Sequence, residues 1–484
     1  MRNALLFLCC LLLADLAAAQ TVTARLNFGR RDARPDYVEY CPADQGLVTV
    51  GNLSRKSSRY QSISKFDANF KKEWTKQVLQ QNGRSSIDLV AALGDQIYVF
   101  ISEFYPRDGS IKTSYTQFDL EGNEIVSREV IDEVPNEKQH RVDLRYERSL
   151  NKRKLLCYKN LDQGSRNERI TYYLFDAQND SVVRGEIALP FPDEKFQVRK
   201  LVVSNSGKIY LLGKYYLVSR IKEPQDYGFK LYSYTPGNPE PTQLNIELGE
   251  LFINDLTVRA GRDENLYLAG FYSHRSSEEI IGSCFFRVNP SLEAEVQSTQ
   301  RFSDDFLKNF LRDQQIDRGR ELRNFYLDNI ILRSDSGALL VAEKYYTTYN
   351  SYVDIYGYMV DQRIYHYDDV IVSSVAGTGD LEWSAVARKR QQSDVRESLS
   401  YLDVVSGESL YLIYGYDPKR EPRTLYVQEV SMTGEVSERK PLLGNMALDE
   451  TFYPRSSEQI SNTAALLSYF QEREKIFSVV KVEF

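Results

Sequence analysis

The sequence predicts an all-β protein: a β-propeller of about eight four-stranded blades, with seven as the alternative count. Three observations lead to this prediction. A short strand pattern recurs along the 484 residues, aromatic strands ending in tight turns recur between its copies, and neither pattern has a helical period. The chain also contains 34 tyrosines. They suit half-buried sheets, because a tyrosine ring can be buried while its hydroxyl stays hydrated.

The first pattern is a turn, then an alternating apolar strand, then aromatic residues. It occupies residues 94–105, 206–216, 264–272, 336–346 and 406–416, with a weaker copy at 152–158. The equivalent apolar positions are Ile97, Leu155, Ile209, Leu266, Leu339 and Leu410, separated by 58, 54, 57, 73 and 71 residues. Spacing near 50–60 residues is typical of propeller blades, and the two long steps indicate insertions.

The second pattern is an aromatic strand that ends in an Asp, Asn or Gly turn, as at 66–69, 118–123, 175–180, 288–290 and 432–434. These residues tolerate the backbone angles of a tight hairpin. A calcium loop is the alternative around Asp119, but the twelve-residue ligand pattern is absent, so plain turns are favoured. Two hairpins per unit make one four-stranded blade.

The predicted units are 37–80, 87–132, 142–190, 196–248, 252–302, 325–390, 399–438 and 452–484. The last unit shows only about three strands. Residues 21–28 alternate between apolar and polar side chains, so we expect them to close the last blade and cover its open edge.

Two insertions interrupt the repeat. Residues 304–321 place Phe306, Leu307, Phe310, Leu311 and Ile316 at helical spacing, which predicts one amphipathic helix. Residues 347–361 are expected to lengthen the loop inside the sixth unit.

Residues 1–19 have the pattern of a secretory signal peptide. Arg2 precedes an apolar run over residues 4–13, and three alanines at 17–19 form a small-residue cleavage site. The run is too short for a permanent membrane anchor, although a signal anchor is the alternative. We therefore expect residues 20–484 to form a single propeller domain, exported to the periplasm or the extracellular space, with no membrane span.

Cysteine content and charge exclude several classes of function. The predicted mature chain keeps Cys41, Cys157 and Cys284. Three buried thiols are favoured, and one long-range disulfide is the alternative. No CxxC motif or His/Cys cluster occurs, so neither a metal site nor a cofactor is predicted. The net charge of −7 and the scattered basic residues argue against nucleic acid as a partner.

The sixth unit carries a resemblance. Residues 322–325, 334–337, 341–346, 365–372, 379–383 and 388–392 are similar to a family of exported bacterial β-propeller-like proteins without an assigned activity. The likeness is good over about residues 320–440 and looser over the rest of the mature chain. It implies export and a propeller fold, and it implies no catalytic residue, cofactor or substrate. Residues 376–379 depart from the plainer Asp-Gly turn that is usual there.

Candidate catalytic residues are few. The three histidines are His140, His274 and His366, no two of them are close in sequence, and no Gly-x-Ser-x-Gly motif is present. His366 alternates with tyrosines, which favours an exposed or partly packed sheet residue over a general base. Glu103 and Glu343 occupy the same repeat position, which favours a structural role. A pair of glycosidase carboxylates is the alternative.

The best candidate for a binding surface is the sixth unit, because tyrosine offers a large, rigid contact area. The alternative is that these tyrosines pack the long hairpin against the propeller. The candidate residues are Glu343, Tyr345, Tyr346, Tyr349, Tyr352, Tyr356, Tyr358 and His366.

The favoured function is a non-enzymatic exported scaffold that binds a protein, peptide or glycan through one face. One alternative is an extracellular hydrolase or lyase that acts on polysaccharide. The other is a structural component of an envelope complex.

Overall fold

A computed structural model describes residues 21–28, 37–55, 58–80, 84–135, 144–160, 166–179, 181–218, 220, 226–238, 240–274, 279–353, 355–415, 424–442, 450–471 and 473–484. The predicted signal peptide, residues 1–19, and His140 lie outside the described residues. The chain divides into two compact units. The larger comprises Pro35–Asp394 and Thr433–Val436, and the smaller comprises Met1–Arg34, Val395–Met432 and Ser437–Phe484.

Strand β1 spans Thr21–Phe28. The first three blades of the larger unit follow, and each is a four-stranded antiparallel sheet whose strands pair in chain order. Blade 1 contains β2 (Tyr37–Cys41), β3 (Gly46–Arg55), β4 (Ser58–Phe66) and β5 (Lys72–Gln80). Blade 2 contains β6 (Ser85–Leu93), β7 (Gln96–Tyr105), β8 (Ser110–Asp119) and β9 (Glu124–Pro135). Blade 3 contains β10 (Arg145–Arg148), β11 (Lys154–Asn160), β12 (Asn167–Asp176) and β13 (Ser181–Pro192).

The next two blades repeat this arrangement. Blade 4 contains β14 (Phe196–Val203), β15 (Ile209–Tyr216), β16 (Tyr227–Tyr234) and β17 (Thr242–Ile246). Blade 5 contains β18 (Phe252–Ala260), β19 (Leu266–Ser273), β21 (Gly282–Val288) and β22 (Ala294–Arg301). The short strand β20 (Glu279–Ile280) precedes β21 and pairs with β23 (Leu322–Arg323), which lies just before blade 6.

Blade 6 contains the longest strands of the larger unit. Its members are β24 (Phe325–Leu332), β25 (Ala338–Val353), β26 (Met359–Val375) and β27 (Leu381–Ala387). The short strand β28 (Gln391–Ser393) pairs with residues 365–367 of β26.

Blades in the larger unit pack face to face in chain order, and strand alternation explains how. In β7, the side chains of Ile97 and Val99 join a core shared with blade 1, while Tyr98 and Phe100 join a core shared with blade 3. Successive side chains of a strand point to opposite faces, so a strand that is apolar at every position packs against a neighbour on each side. The same division recurs in β11, β15 and β19.

The smaller unit holds the last two blades. Blade 7 contains β29 (Leu402–Ser406), β30 (Ser409–Gly415), β31 (Leu425–Ser431) and β32 (Lys440–Pro441). Blade 8 contains β33 (Glu450–Phe452), β34 (Glu458–Ser461), β35 (Ala464–Gln471) and β36 (Ile476–Glu483). One hydrophobic core joins the two blades.

The N-terminal strand completes blade 8. Strand β1 runs antiparallel to β36, with Thr21 opposite Glu483 and Phe28 opposite Phe477. The predicted closure of the last blade by residues 21–28 is therefore confirmed. So is the prediction of a β-propeller with about eight four-stranded blades.

The helical insertion near 304–321 is also confirmed, but it forms two short helices and not the single helix that we expected. Helix α1 spans Asp304–Leu307, with Ser303 as its N-cap, and α2 spans Asp313–Asp317. Elsewhere in the described residues there are three 3₁₀ turns, at Asp193–Lys195, Arg396–Ser398 and Pro454–Ser456. The break lets the apolar residues of both helices reach one core, which contains Phe306, Leu307, Ile316, Phe302 and Phe325. None of the helices in the described residues has the length and hydropathy needed to cross a membrane.

The insertion at 347–361 differs from the expected long loop. Its described residues continue β25 and β26, so that the two strands pair from Ala338 opposite Val375 out to Val353 opposite Met359. The many tyrosine, threonine and valine residues of this segment favour strand over loop.

All three cysteines of the described chain are free and buried, as the favoured prediction stated. Burial raises the pKa of the Cys41 thiol to about 12 and raises the thiol pKa of Cys157 and Cys284 as well. Each thiol lies in a blade-to-blade core and behaves as a small apolar side chain.

Candidate functional site: the aromatic arm of blade 6

The candidate site is a two-stranded ribbon that extends blade 6. We call residues 345–353 and 359–367, with the turn between them, the arm. Tyr345 lies opposite Tyr367 at its base and Val353 lies opposite Met359 near its tip. A register shift between Glu343 and Tyr345 marks the point where the arm leaves the blade, and β24 ends its pairing there, with Phe325 opposite Lys344.

Aromatic contacts hold the base of the arm. The ring of Tyr345 lies 4.8 Å from that of Tyr367 and 6.1 Å from that of Tyr326, measured between centroids. On the other face of the ribbon, Tyr346 stacks on His366 with a centroid distance of 4.5 Å and an angle of 3° between ring planes. Such contacts between rings add to the burial of their apolar surface.

His366 is part of this packing. Its Nε2 lies 2.8 Å from the hydroxyl of Thr348, which lies on the opposite strand two residue pairs further along the ribbon. Burial, followed by the nearby Asp368 carboxylate, raises the pKa of Tyr346. The interpretation of His366 as a partly packed sheet residue agrees with this arrangement.

Glu343 lies beneath the arm in a buried ion pair. Its carboxylate contacts Lys389, and both side chains are almost completely buried, at 2% and 0% exposure. Lys389 also donates to the carbonyl oxygen of Tyr367 at 3.1 Å and to Oε1 of Gln391 at 2.8 Å. The lysine therefore joins the carboxylate to the main chain of the second arm strand, which is a structural role.

The tip of the arm is apolar and exposed. Ile355, Tyr356 and Met359 expose 91%, 77% and 78% of their surfaces. The remaining large side chains exposed on the arm are Tyr349, Tyr352, Val353 and Tyr358. An exposed group of large apolar and aromatic side chains is typical of an interaction site.

The predicted site residues thus fall into two groups. Glu343, Tyr345, Tyr346 and His366 come together at the base, where they pack the arm against blade 6. The four tyrosines beyond them are exposed, and Tyr349 lies 5.4 Å from the guanidinium of Arg363 across the ribbon. Packing at the propeller, the alternative we considered for all the tyrosines, describes Tyr345 and Tyr346 at the base.

Glu103, the other candidate carboxylate, is also engaged in local bonds. Glu103 accepts from the hydroxyl of Tyr105 at 3.2 Å and pairs with Arg128 at 3.4 Å. The main-chain amide of His274 donates to Glu321 at 3.3 Å. No group of three or more His, Cys, Asp or Glu side chains suited to a metal ion occurs within the residues that the structure describes.

A second feature at the base of the arm was not predicted from the sequence. A cleft of about 360 Å³ lies between the helical insertion and the start of blade 6. Phe310, Leu311 and Phe325 form apolar parts of its wall, and Arg320 and Lys344 contribute positive charge. These residues are dispersed over 35 positions of sequence with no motif, so no pattern in the chain points to the cleft.

Comparison with known proteins finds similarity only among solved structures. No protein-family model matches the chain, and no curated protein matches it. Among solved structures, it is similar to the WD40 domain of SCAP from fission yeast, with 10% identity, coverage of 95% of this chain and 98% of that one, and a TM-score of 0.41. It is also similar to the β-propeller domain of the Trilobed protease from Pyrococcus furiosus, with 11% identity, coverage of 85% and 98%, and a TM-score of 0.38.

A third similar structure is the β-propeller domain of Cps50 (Swd1) from Myceliophteria thermophila. Its identity is 12%, the coverage is 82% of this chain and 99% of that one, and the TM-score is 0.33. Because these TM-scores are low, the evidence for the propeller is the strand pairing within each blade. The evidence for the candidate functional site is the arrangement of residues in the arm.

Proposed function

We propose that this protein is an exported, non-enzymatic β-propeller scaffold whose arm binds a partner protein. The observation that carries the proposal is the exposure of Ile355, Tyr356 and Met359 at the tip of a ribbon that is anchored at its base. Tyrosine and methionine are enriched at protein interfaces, and buried aromatic anchors dominate their binding energy.

The aliphatic side chains at the tip favour a protein over a glycan as the partner. Ile355, Val353 and Met359 offer no hydrogen bond to a sugar hydroxyl, but they can fill apolar pockets of a protein surface. The paired strands hold Val353 and Met359 on either side of the turn that carries Ile355, which limits the conformational entropy of the main chain that is lost on binding.

The proposal excludes a catalytic role for the predicted carboxylates. Glu343 is buried in an ion pair with Lys389, so it is removed from any substrate. Glu103 is bonded to Tyr105 and Arg128. A polysaccharide hydrolase would need two accessible carboxylates that converge on one bond.

The test compares wild-type protein with Ile355→Ala/Tyr356→Ala. Both side chains are exposed, so the double variant should keep the melting temperature of wild type. Loss of two interface anchors is expected to weaken partner binding by roughly 30-fold or more. Captured proteins are identified by chemical cross-linking in the medium or periplasm of the producing cell, followed by mass spectrometry, and a glycan array is run in parallel.

The matched control is Leu217→Ala/Val218→Ala, which removes two exposed apolar side chains far from the arm in sequence, with exposures of 61% and 40%. This control should retain the captured protein. Equal capture by the tip variant and wild type would contradict the proposal, as would binding to glycans alone.

Export is tested separately by determining the N-terminus of the protein after production from the full-length gene. We expect a mature chain that begins at Gln20 and is found outside the cytoplasm. Recovery of the chain in the cytoplasm with Met1 or Arg2 at its N-terminus would contradict export.

A further inference from the structure

In addition to its exposed tip, the arm has an open strand edge along its side. Strand β24 pairs with β25 only as far as Phe325 opposite Lys344, whereas β25 continues to Val353. No strand of the described chain pairs with the outer edge of residues 346–353. An exposed row of main-chain donors and acceptors is a template on which another strand can pair.

One hydrogen bond shows which main-chain groups face this edge. The amide of Tyr345 donates to the carbonyl oxygen of Asn324, on the β24 side, at 2.8 Å. Because successive residues of a strand direct their main-chain groups to opposite sides, the amides and carbonyls of Thr347, Tyr349, Ser351 and Val353 also face outward. The intervening residues bond with β26.

The edge lacks the usual protection against pairing. Natural edge strands carry charged side chains, proline or bulges that discourage a second strand. Residues 345–353 read YYTTYNSYV and contain no charge, no proline and no glycine. Tyrosine, threonine and valine all have high β-propensity. The composition therefore favours strand addition.

The same residues are complementary to themselves. In an antiparallel pair centred on Tyr349, Tyr346 faces Tyr352, Thr347 faces Ser351 and Tyr349 faces its own copy. No like charges come together, because residues 345–353 carry none. Aromatic and hydroxyl pairs of this kind stabilise neighbouring antiparallel strands.

We propose that the outer edge of β25 pairs with the same strand of a second copy of this chain, forming a symmetric dimer through a four-stranded sheet of two arms. The outward main-chain groups of Thr347, Tyr349 and Ser351 supply about six hydrogen bonds between the copies. This inference goes beyond the proposed function, since it uses the side of the ribbon and leaves Ile355 and Tyr356 available at the tip. A short strand-edge interface of this kind is typical of weak association that depends on concentration.

Sedimentation velocity of the mature protein over a range of concentrations tests the proposal. Wild type should pass from monomer to dimer as its concentration rises. Ser351→Pro removes one outward amide and blocks strand addition on this edge, so it should weaken association at least about tenfold.

Asp361→Pro is the matched control. Asp361 lies directly opposite Ser351, and its amide faces the other edge of the ribbon. Both variants lose the same hydrogen bond between the Ser351 hydroxyl and the Asp361 carboxylate, so damage to the arm would affect both equally. We expect Asp361→Pro to dimerise as wild type does.

A charge exchange at the symmetry axis tests the register. Tyr349→Lys and Tyr349→Glu each place like charges opposite one another and should be monomeric at concentrations where wild type is dimeric. An equimolar mixture should restore the dimer, because lysine then faces glutamate. Three results would overturn the proposal: a wild type that stays monomeric, equal loss of the dimer in both proline variants, or a mixture that does not associate.

Discussion

Replacement of Glu343 by glutamine should destabilise the larger unit without affecting any exposed surface. The carboxylate is 2% exposed and its partner Lys389 is 0% exposed, so solvent does not screen the pair. In Glu343→Gln the lysine keeps its charge and its bonds to Tyr367 and Gln391, but it loses its counter-ion. Breaking a buried pair by removing one partner costs about 3–5 kcal/mol.

This free energy can be converted to a shift in melting temperature. Unfolding entropy is about 2.1 cal/mol/K per residue, so a larger unit of about 360 residues that unfolds as one gains roughly 0.76 kcal/mol/K. A loss of 3–5 kcal/mol then lowers the melting temperature by roughly 4–7 °C. Differential scanning calorimetry of wild type and variant at one pH and one ionic strength measures the shift.

Glu103→Gln is the control, because Glu103 occupies the same place in the repeat as Glu343. Its side chain is 26% exposed and it pairs with Arg128 at the surface, so the loss should stay within about 1 kcal/mol. The double variant Glu343→Met/Lys389→Met removes both charges and should be more stable than Glu343→Gln. Equal melting temperatures for Glu343→Gln and wild type would refute a structural ion pair.

Two further predictions concern groups buried between blades. Cys157 is fully buried, and burial raises its thiol pKa. An alkylating reagent should therefore leave Cys157 unmodified in the native protein and modify it after unfolding, as measured by mass spectrometry. Rapid modification of the native protein would contradict the burial of this thiol. Burial also raises the pKa of Tyr210 and Tyr232 to about 12. The phenol protons bind more tightly in the folded state, so this contribution to stability is complete below about pH 10 and is lost as the pH rises through about 12. Denaturant unfolding across this range should show falling stability, and native phenolate absorbance that titrates fully near pH 10 would be inconsistent with it.

The blade repeat was predictable because it depends on local chemistry. Residues 97–101 of β7 are apolar at every position, and the turn after Phe118 contains Asp and Gly, so both strand and reversal are encoded within about ten residues. The alternating residues 21–28 likewise indicated a strand that would pair with another strand.

The two insertions were harder to predict. Phe306 and Ile316 have helical spacing, but the segment breaks at residue 308, because its apolar side chains must reach the same core from two directions. At residues 347–361, a run of tyrosines was interpreted as loop because the insertion lengthens the repeat. The cross-strand pairing of β25 with β26 could not be recognised from either strand alone.

The candidate site also has features that the sequence predicted and features that it did not. Tyrosine-rich composition marked the arm, but it did not separate Tyr345 and Tyr346, which pack at the base, from Tyr352 and Tyr356, which are exposed. Glu343 and Lys389 are 46 residues apart, and no sequence pattern pairs them.

By itself, the sequence determined that this chain forms successive antiparallel sheets and that its first strand completes the last one. Both depend on periodicity and turn chemistry that operate within a few residues. Only the tertiary structure decided which side chains are buried in ion pairs, which tyrosines are exposed, and which strand edge remains open. These properties depend on contacts between segments distant in the chain, and burial and pairing are set by the neighbours that folding brings together.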